Sequence, residues 1–298
     1  MPDTLRAIIL MVAGSFFFTL ADLCMKLASR TIPIGQVTII LGLGLAVFFA
    51  ALALRERQRF FERRLLHHAM LMRCVGEAVA IVGVIIALRF SPLATVTALM
   101  QSLPLVLTLM AVVFLREPLR WRRSIALIVG FLGVLVIIRP GLDTFDFFAA
   151  FTLIGVIGMA IRDIGTRIMP AGISTPILGF WGAVAIVLTG IGMTLISGEV
   201  VIPDREGWLF LGGLIVVGCL GTLAVALAMR LGEVSVISPF RFIRVVFGVG
   251  AGVLILGESV DLPTVIGATM VVGAGLYSLL RERQLALRAN PSTTGPSG

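Results

Sequence analysis

Apolar blocks of roughly 20 residues recur along almost the whole sequence, separated by short polar breaks. A helix of about that length crosses the hydrocarbon core of a bilayer, whereas a membrane-spanning strand would show short alternating segments. The composition agrees, because 58% of the residues are hydrophobic and 13% are charged, against roughly half and a quarter in soluble domains. The sequence therefore predicts an all-α integral membrane protein.

The blocks predict ten transmembrane helices, of which the third and fourth are separated by a tight turn at Pro92. The first block resembles a signal peptide, but no small-residue cleavage site follows it and Asp22 and Lys26 interrupt its end, so we expect a mature helix. The ten spans are placed at residues 7–28, 34–54, 69–89, 93–115, 124–138, 147–168, 175–197, 208–229, 235–256 and 262–280.

The distribution of basic residues predicts the orientation of these spans. Arginines concentrate in the connections between spans two and three and between spans four and five, whereas the connections after spans five, seven and nine are mostly acidic. Short loops rich in Lys and Arg remain in the cytoplasm, so both termini are predicted to be cytoplasmic, in a bacterial inner membrane. Trp121 and Trp208 fall at predicted water interfaces on opposite sides, where amphipathic indoles are enriched.

An internal repeat appears when the sequence is compared with itself at an offset of 141 residues. This offset brings Glu117 onto Glu258, since 117 + 141 = 258, and both glutamates are expected to cap or pin helix ends. It also aligns Asp22 with Asp163, Lys26 with Arg167, and residues 87–90 with 228–231. Each half has an odd number of spans, so the second half enters the membrane inverted, as in many secondary transporters. The predicted domains are two inverted five-helix repeats, 1–140 and 141–282, and a flexible cytoplasmic tail, 283–298.

Short motifs lie at the ends of spans three to five and recur in part in the second half. They are Ala87-Leu88-Arg89-Phe90-Ser91-Pro92-Leu93-Ala94, Gln101 with Pro104, Leu115-Arg116-Glu117-Pro118, Gly130-Phe131-Leu132-Gly133, Arg139-Pro140-Gly141, Leu256-Gly257-Glu258-Ser259 and Gly273. In these motifs the whole chain resembles the drug/metabolite transporter superfamily, and within it the EamA-type transporters with ten helices.

The resemblance implies a basket in which spans one, three, four, six, eight and nine surround a central cavity. It implies transport of a small organic metabolite but does not select the substrate, because similar proteins are assigned amino acids, vitamins such as riboflavin, S-adenosylmethionine, nucleotide sugars and drugs. Tyr277 is the only tyrosine and the central spans lack tryptophan. An aromatic-stacking pocket is therefore not expected.

Charged residues inside the spans are the candidate functional groups, because a central charge costs at least about 2.5 kcal/mol unless it faces a cavity or a partner. Asp22 and Lys26 are four residues apart, and so are Arg73 and Glu77. Each pair thus lies on one helix face and can form an internal ion pair. Such a pair can serve structure alone, or it can line a cavity and exchange partners during transport.

Span six carries Arg162, Asp163 and Arg167 in its last turns, where Arg167 can extend to the cytoplasmic interface. Asp163 is of more interest because it lies further from that interface. The candidate coupling or gating groups are Asp22, Lys26, Asp163 and Arg167.

Arg241 and Arg244 are three residues apart on one face of span nine, with no acid in that span before Glu258. Their partners must therefore be an anionic substrate group, which a guanidinium fork binds well, or a carboxylate of another span. The candidate carboxylates are Glu77, Asp22 and Asp163. The embedded bases outnumber the embedded acids by 6 − 3 = 3, counting Lys26, Arg73, Arg162, Arg167, Arg241 and Arg244 against Asp22, Glu77 and Asp163. This excess favours a substrate with a carboxylate, phosphate or other electron-rich group over a cationic drug.

Two prolines are predicted to break spans near these groups. Pro104 follows Gln101 and Ser102 in span four, and Pro239 precedes the arginines of span nine. Gln101 and Ser102 are assigned to the site, with a packing role as the alternative. The predicted substrate-binding residues are Arg73, Glu77, Gln101, Ser102, Arg241 and Arg244.

The remaining function classes are weighed against the residues present. The sequence shows no adjacent nucleophile and base, no His-rich metal set and no phosphate-cradling glycine loop, so we expect no enzymatic activity, metal, cofactor or ATP drive within this chain. The basic residues lie between spans, where topology explains them without a nucleic-acid partner.

The prediction is a secondary transporter that moves an amino-acid-, vitamin- or nucleoside-like metabolite, anionic or zwitterionic, by alternating access. A multidrug or cationic-compound exporter of the same fold, a channel and an intramembrane enzyme are the alternatives. The expected partners are the small-molecule substrate and the lipid bilayer, and the oligomeric state is left open.

Overall fold

The computed structural model describes residues 3–115, 121–140, 146–170, 172–231 and 234–289, and the regular structure within these ranges is entirely helical. The helices are α1 (Asp3–Thr31), α2 (Ile34–Arg55), α3 (His68–Phe90), α4 (Leu93–Met100), α5 (Leu103–Leu115), α6 (Trp121–Ile138), α7 (Ala149–Arg167), α8 (Thr175–Ser197), α9 (Arg205–Leu231), α10 (Val234–Ile237), α11 (Ile243–Leu254) and α12 (Leu262–Ala289), with short 3-10 helices at Arg63–Leu66 and Ser238–Phe242.

Seven helical stretches of the described chain are long and apolar enough to cross a membrane: α1, α2, α3, the joined segment Leu93–Met110, α7, α8 and α9. Shorter apolar helices run over Ser124–Ile138 and Leu262–Ser278. The protein is therefore an all-helical, multi-pass membrane protein. Helix α12 continues to Ala289, into the predicted tail, through Leu, Ala, Gln and Arg residues that favour helix. Residues 290–298 lie outside the described ranges.

The fourth and ninth predicted spans are both interrupted, as Pro104 and Pro239 led us to expect. Span four stops at Met100 and resumes at Leu103, while span nine contains the 3-10 segment Ser238–Phe242 between α10 and α11. The two interruptions meet, because Gln101 Nε2 donates a hydrogen bond to the Arg241 carbonyl at 3.3 Å.

Glycines let paired helices pack backbone against backbone. The main helix pairs are α3 with α7, α1 with α9, and α2 with α8. A Cβ atom at Gly83 would lie 2.3 Å from the Gly155 nitrogen, and one at Gly158 would lie 2.4 Å from the Ala80 nitrogen. Only hydrogen fits at that separation, and close approach through small residues is the usual way in which helices associate in lipid. The α3–α7 contact brings the polar faces of these two helices together.

Apolar side chains are found both in the buried core and on the outer surface of the helices, as expected for a protein surrounded by lipid. Ile85, Leu88 and Leu93 belong to a large buried cluster shared by α1, α2, α3, α4, α8 and α9. Large apolar residues such as Val47 and Leu195 instead remain 71% and 79% exposed. Exposure on this scale is costly in water but not against lipid tails, which are as apolar as the side chains.

Candidate functional site

A cavity of about 470 Å³ opens between α1, α2, α3, α7, α8 and α9. Its volume falls within the range of small-molecule sites in proteins. Phe18 and Phe49 line it. The polar lining is Arg73, Glu77, Arg162, Asp163, Thr166 and Thr222.

Glu77 is the centre of the charged lining. Its carboxylate lies 3.9 Å from the Arg73 guanidinium on the same helix and 3.4 Å from the Arg162 guanidinium on α7. Arg162 in turn bonds Asp163 at 2.9 Å. The predicted Arg73–Glu77 pair is confirmed, but it is part of a cluster in which two bases face two acids across two helices. The role of Arg162 was missed, because its position in the last turns of span six suggested the interface.

Arg73 is anchored by two further helices. Its Nε donates to the Leu178 carbonyl on α8 at 3.2 Å, and its Nη1 donates to Thr166 Oγ1 on α7 at 2.6 Å. The guanidinium therefore has a defined orientation with its remaining face toward Glu77. Such anchoring keeps a cavity charge in place while other groups rearrange.

Asp22 and Arg244 form the second interhelical pair, at 2.5 Å. This corrects the expected pairing of Asp22 with Lys26, since helix α1 directs its aspartate toward span nine. Asp22 was one of the candidate partners for the span-nine arginines, and that part of the prediction is confirmed. The Arg244 guanidinium also lies 5.4 Å from the centre of the Phe18 ring, close enough for cation–π attraction.

Lys26 belongs to a separate polar cluster at the turn between α3 and α4. Its ammonium donates to the Leu88 carbonyl at 2.9 Å and the Ser91 carbonyl at 2.5 Å, and it lies 3.4 Å from Glu258. Glu258 accepts hydrogen bonds from the Leu93 N–H at 3.0 and 2.8 Å, so its predicted capping role is confirmed. The capping role predicted for Glu117 falls outside the described residues.

Replacing Lys26 by Met should strongly destabilise the protein, because the Glu258 carboxylate would stay nearly buried with only a backbone donor. We expect the free energy of unfolding to fall by about 3 kcal/mol. Glu258→Gln together with Lys26→Met should recover much of that loss. Unfolding of the purified protein in mixed micelles measures Lys26→Met, Glu258→Gln and the double variant, and additive losses in the double variant would contradict a direct interaction.

Arg241 differs from the other embedded charges. Its side chain is exposed, and no carboxylate forms an ion pair with it among the residues that the structure describes. It lies within electrostatic range of Asp163, Arg162 and Arg244. Arg241 is not among the residues that line the cavity, but its exposed guanidinium close to Asp163 and Arg162 is available to an anionic ligand.

The other predicted site residues occupy different places. Ser102 is fully buried and donates to the Leu99 carbonyl at 2.7 Å, as a packing role requires. Gln101 joins the two interruptions through Arg241. Arg167 is exposed at the end of α7, where extension to the interface was predicted. Arg73, Glu77 and Asp163 therefore line one cavity. Lys26 and Ser102 are not among the residues that line it.

Comparison with protein families gives a match along nearly the whole chain. The model of the EamA-like transporter family matches residues 5–139 and again residues 147–280. A solved crystal structure superposes with a TM-score of 0.60 at 16% identity, covering 94% of this chain and 98% of that one. At this identity the superposition shows a shared fold alone.

Several characterised bacterial proteins are similar in sequence. The pseudopaline exporter CntI of Pseudomonas aeruginosa is 26% identical, over 91% of this chain and 95% of its own. An S-adenosylmethionine uptake transporter of Rickettsia felis is 24% identical over 69% of both chains. A riboflavin transporter of Brucella anthropi is 27% identical over 71% of this chain and 75% of its own.

Proposed function

Because the chain belongs to the EamA-like transporter family, we propose that it carries a small zwitterionic or anionic metabolite across the bacterial inner membrane by alternating access. Its relatives are named as transporters of three chemically different metabolites. They support small-metabolite transport but do not select one substrate. The substrate class is therefore inferred from the residues of the site. Both uptake and export occur among them.

The proposal includes ten crossings arranged as two inverted repeats, residues 1–140 and 141–282, with cytoplasmic termini. Two observations support it. The sequence offset of 141 exchanges the α1–α9 and α3–α7 pairings, which are both among the largest in the fold. It also takes the interruption at 101–102 to 242–243, since 101 + 141 = 242, where the 3-10 segment ends and α11 begins. Discontinuous helices at the repeat interface are typical of substrate sites in secondary transporters.

The absence of a carboxylate partner for Arg241 among the described residues is the main support for an anionic group on the substrate. The cavity's own charges balance, because Arg73 and Arg162 face Glu77 and Asp163, and Arg244 is neutralised by Asp22. Arg241 is left as the embedded cation to which a substrate carboxylate or phosphate can bind. Among these residues, three of the four arginines have a carboxylate partner. The predicted excess of positive charge is therefore represented here by the guanidinium of Arg241.

The acidic residues of the cavity would bind the positively charged group of a zwitterionic substrate. Asp163 has the more exposed carboxylate, 37% against 16% for Glu77. A substrate ammonium can take the place of Arg162 at Asp163, which leaves the number of charge contacts unchanged. Phe18 and Phe49 would contact an apolar portion of the substrate. A zwitterion satisfies both ends, whereas a simple cation leaves Arg241 without a partner.

Uptake into proteoliposomes tests the proposed function directly. We expect saturable uptake of zwitterionic or anionic metabolites, accelerated by the same compound inside the vesicle, since a carrier exchanges substrate faster than it returns empty. The panel should contain neutral amino acids, organic acids, nucleosides, S-adenosylmethionine, riboflavin and lipophilic quaternary ammonium ions. Flux that rises linearly without exchange would indicate a channel, and transport of the quaternary ions alone would favour a cationic-drug exporter.

A further inference from the structure

Helices α1 and α9 form one closely packed pair, α3 and α7 form another, and the charged cavity has walls from both pairs. A Cβ atom at Gly14 of α1 would lie 2.6 Å from a methyl carbon of Val225 on α9, so this pair also packs through glycine. Phe18 and Thr222 line the cavity from the first pair, and Glu77 lines it from the second. Closely packed helices move together, because such contacts do not deform gradually. Opening the cavity therefore requires movement of one pair relative to the other.

The cavity lies toward one end of these helices. Glu77 lines it, and Leu88 lies 11 residues further along the same helix, since 88 − 77 = 11, or about 16 Å along the axis. On α1, Lys26 lies eight residues beyond Phe18, since 26 − 18 = 8, or about 12 Å. Ile85 lies between these levels and is fully buried in the apolar core. Packed apolar side chains thus separate the cavity from the Lys26 end of the helices.

At the Lys26 end, the turn between α3 and α4 is held by two other parts of the chain. Lys26 of α1 donates to the carbonyls of Leu88 and Ser91, at the end of α3. Glu258, which follows α11, accepts from the Leu93 N–H at the start of α4 and forms an ion pair with Lys26. Each charge suits the helix end that it contacts, because a C-terminus favours a cation and an N-terminus favours an anion. These five residues are called the clamp.

We propose that the clamp is the outer gate of the transport cycle and that the structure shows the state in which this gate is closed. The inference rests on the proposed function, which places the N-terminus in the cytoplasm and therefore the end of α1 at the outer surface. Lys26 links the two helix pairs, since it belongs to α1 and binds the end of α3. A passage from the cavity to the outer side needs the pairs to separate at this end, so the Lys26 contacts must break.

Polar contacts are suited to a gate at this level. Water at the membrane surface can replace each hydrogen-bond partner once the pairs separate, so opening costs only the difference between protein and water contacts. The clamp also connects the two copies of the family match, because Lys26 lies in residues 5–139 and Glu258 lies in residues 147–280. Rocking of one repeat against the other, the usual movement in such transporters, therefore acts directly on it.

Gly252 on α11 offers a variant that disturbs the clamp without removing a charge. A Cβ atom there would lie 2.6 Å from Glu258 Oε2, so Gly252→Ala should push the carboxylate away from the Leu93 N–H. The fold should be retained, because the displaced atom ends a flexible side chain. A Cβ atom at Gly250, on the same helix, meets nothing within 4 Å, and Gly250→Ala is the control.

Labelling of a thiol in the cavity measures access from the outer side. Thr222→Cys supplies the thiol after the three native cysteines have been replaced by alanine, and a membrane-impermeant methanethiosulfonate is applied to right-side-out and inside-out vesicles. We expect Gly252→Ala to raise the outer labelling rate about tenfold, the population shift that follows when the closed state loses one charge-assisted hydrogen bond. Gly250→Ala should leave the rate within about twofold.

Glu258→Gln tests the gate by a second route, because it removes the charge attraction to Lys26 and can still accept from the Leu93 N–H. It should also raise the outer labelling rate. Outer labelling that is the same in Gly252→Ala, Glu258→Gln and Gly250→Ala would overturn the proposal. So would outer labelling as fast as inner labelling with the clamp intact, because the clamp would then close nothing.

The labelling assay needs no substrate, so its result is independent of the proposed function. Uptake by the unaltered protein tests that function separately. Failure to transport any metabolite, together with the expected change in labelling, would contradict the proposed substrate class and leave the gate supported.

Discussion

Arg241→Ala is expected to lower substrate affinity by about 100-fold, because bound substrate would shield the exposed guanidinium and its anionic partner from water, and removing one member of such a shielded charge pair usually costs that much. The reason is that Arg241 is the embedded guanidinium left without a carboxylate among the described residues, whereas Arg244 is held by Asp22. Arg241→Lys should recover only part of the affinity, because an ammonium cannot reproduce the two parallel hydrogen bonds of a guanidinium. Ligand-induced thermal stabilisation and proteoliposome uptake measure both variants.

Arg230→Ala is the matched control for Arg241→Ala. Arg230 is an exposed arginine at the end of α9. Its removal should leave substrate affinity within about twofold, as surface charges contribute little. Unchanged affinity in Arg241→Ala, with the same elution volume as the parent protein, would show that the anionic group of the substrate binds elsewhere.

Glu77→Gln is expected to abolish transport and to lower the free energy of unfolding by about 3 kcal/mol. Glutamine has the same shape, so packing is retained and only the negative charge is lost. The guanidiniums of Arg73 and Arg162, with side chains 13% and 28% exposed, would then share a single remaining acid, Asp163. Repulsion between two poorly solvated cations produces the loss of stability.

A second variant distinguishes the loss of stability from the loss of function. Glu77→Gln combined with Arg162→Gln removes one charge of each sign, so stability should largely return. Transport should remain absent, because the proposed exchange of a substrate ammonium with Arg162 needs both groups. Recovery of transport in this double variant would mean that the cluster serves only to hold α3 against α7.

Asp163→Asn is the comparison within the same cluster. Its carboxylate is 37% exposed and contacts Arg162 alone in the described residues, so water already shares in its solvation. We expect a loss of stability below about 1 kcal/mol. A loss as large as that of Glu77→Gln would show that the two acids are equivalent and that Glu77 is not the centre of the cluster.

The sequence by itself determined the features that depend on neighbouring residues. Uninterrupted apolar stretches predict helices long enough for a bilayer, and Pro104 and Pro239 predict the two interruptions because proline removes a backbone donor wherever it occurs. The family resemblance followed from short motifs. Helix α12 extends beyond residue 282, where the sequence is both charged and helix-favouring and is therefore compatible with a helix or with the predicted tail.

Only the tertiary structure decided which charges meet. Four-residue spacing permits a pair within a helix, and it occurs for Arg73 and Glu77 but not for Asp22 and Lys26. The difference lies in the rotation of each helix about its axis and in the neighbour that it faces. Both are set by contacts between segments far apart in the chain, such as those that glycines allow between α3 and α7. For this reason Arg241 could be named as a candidate from the sequence, but its availability to a ligand became evident only when the partner of Arg244 was known.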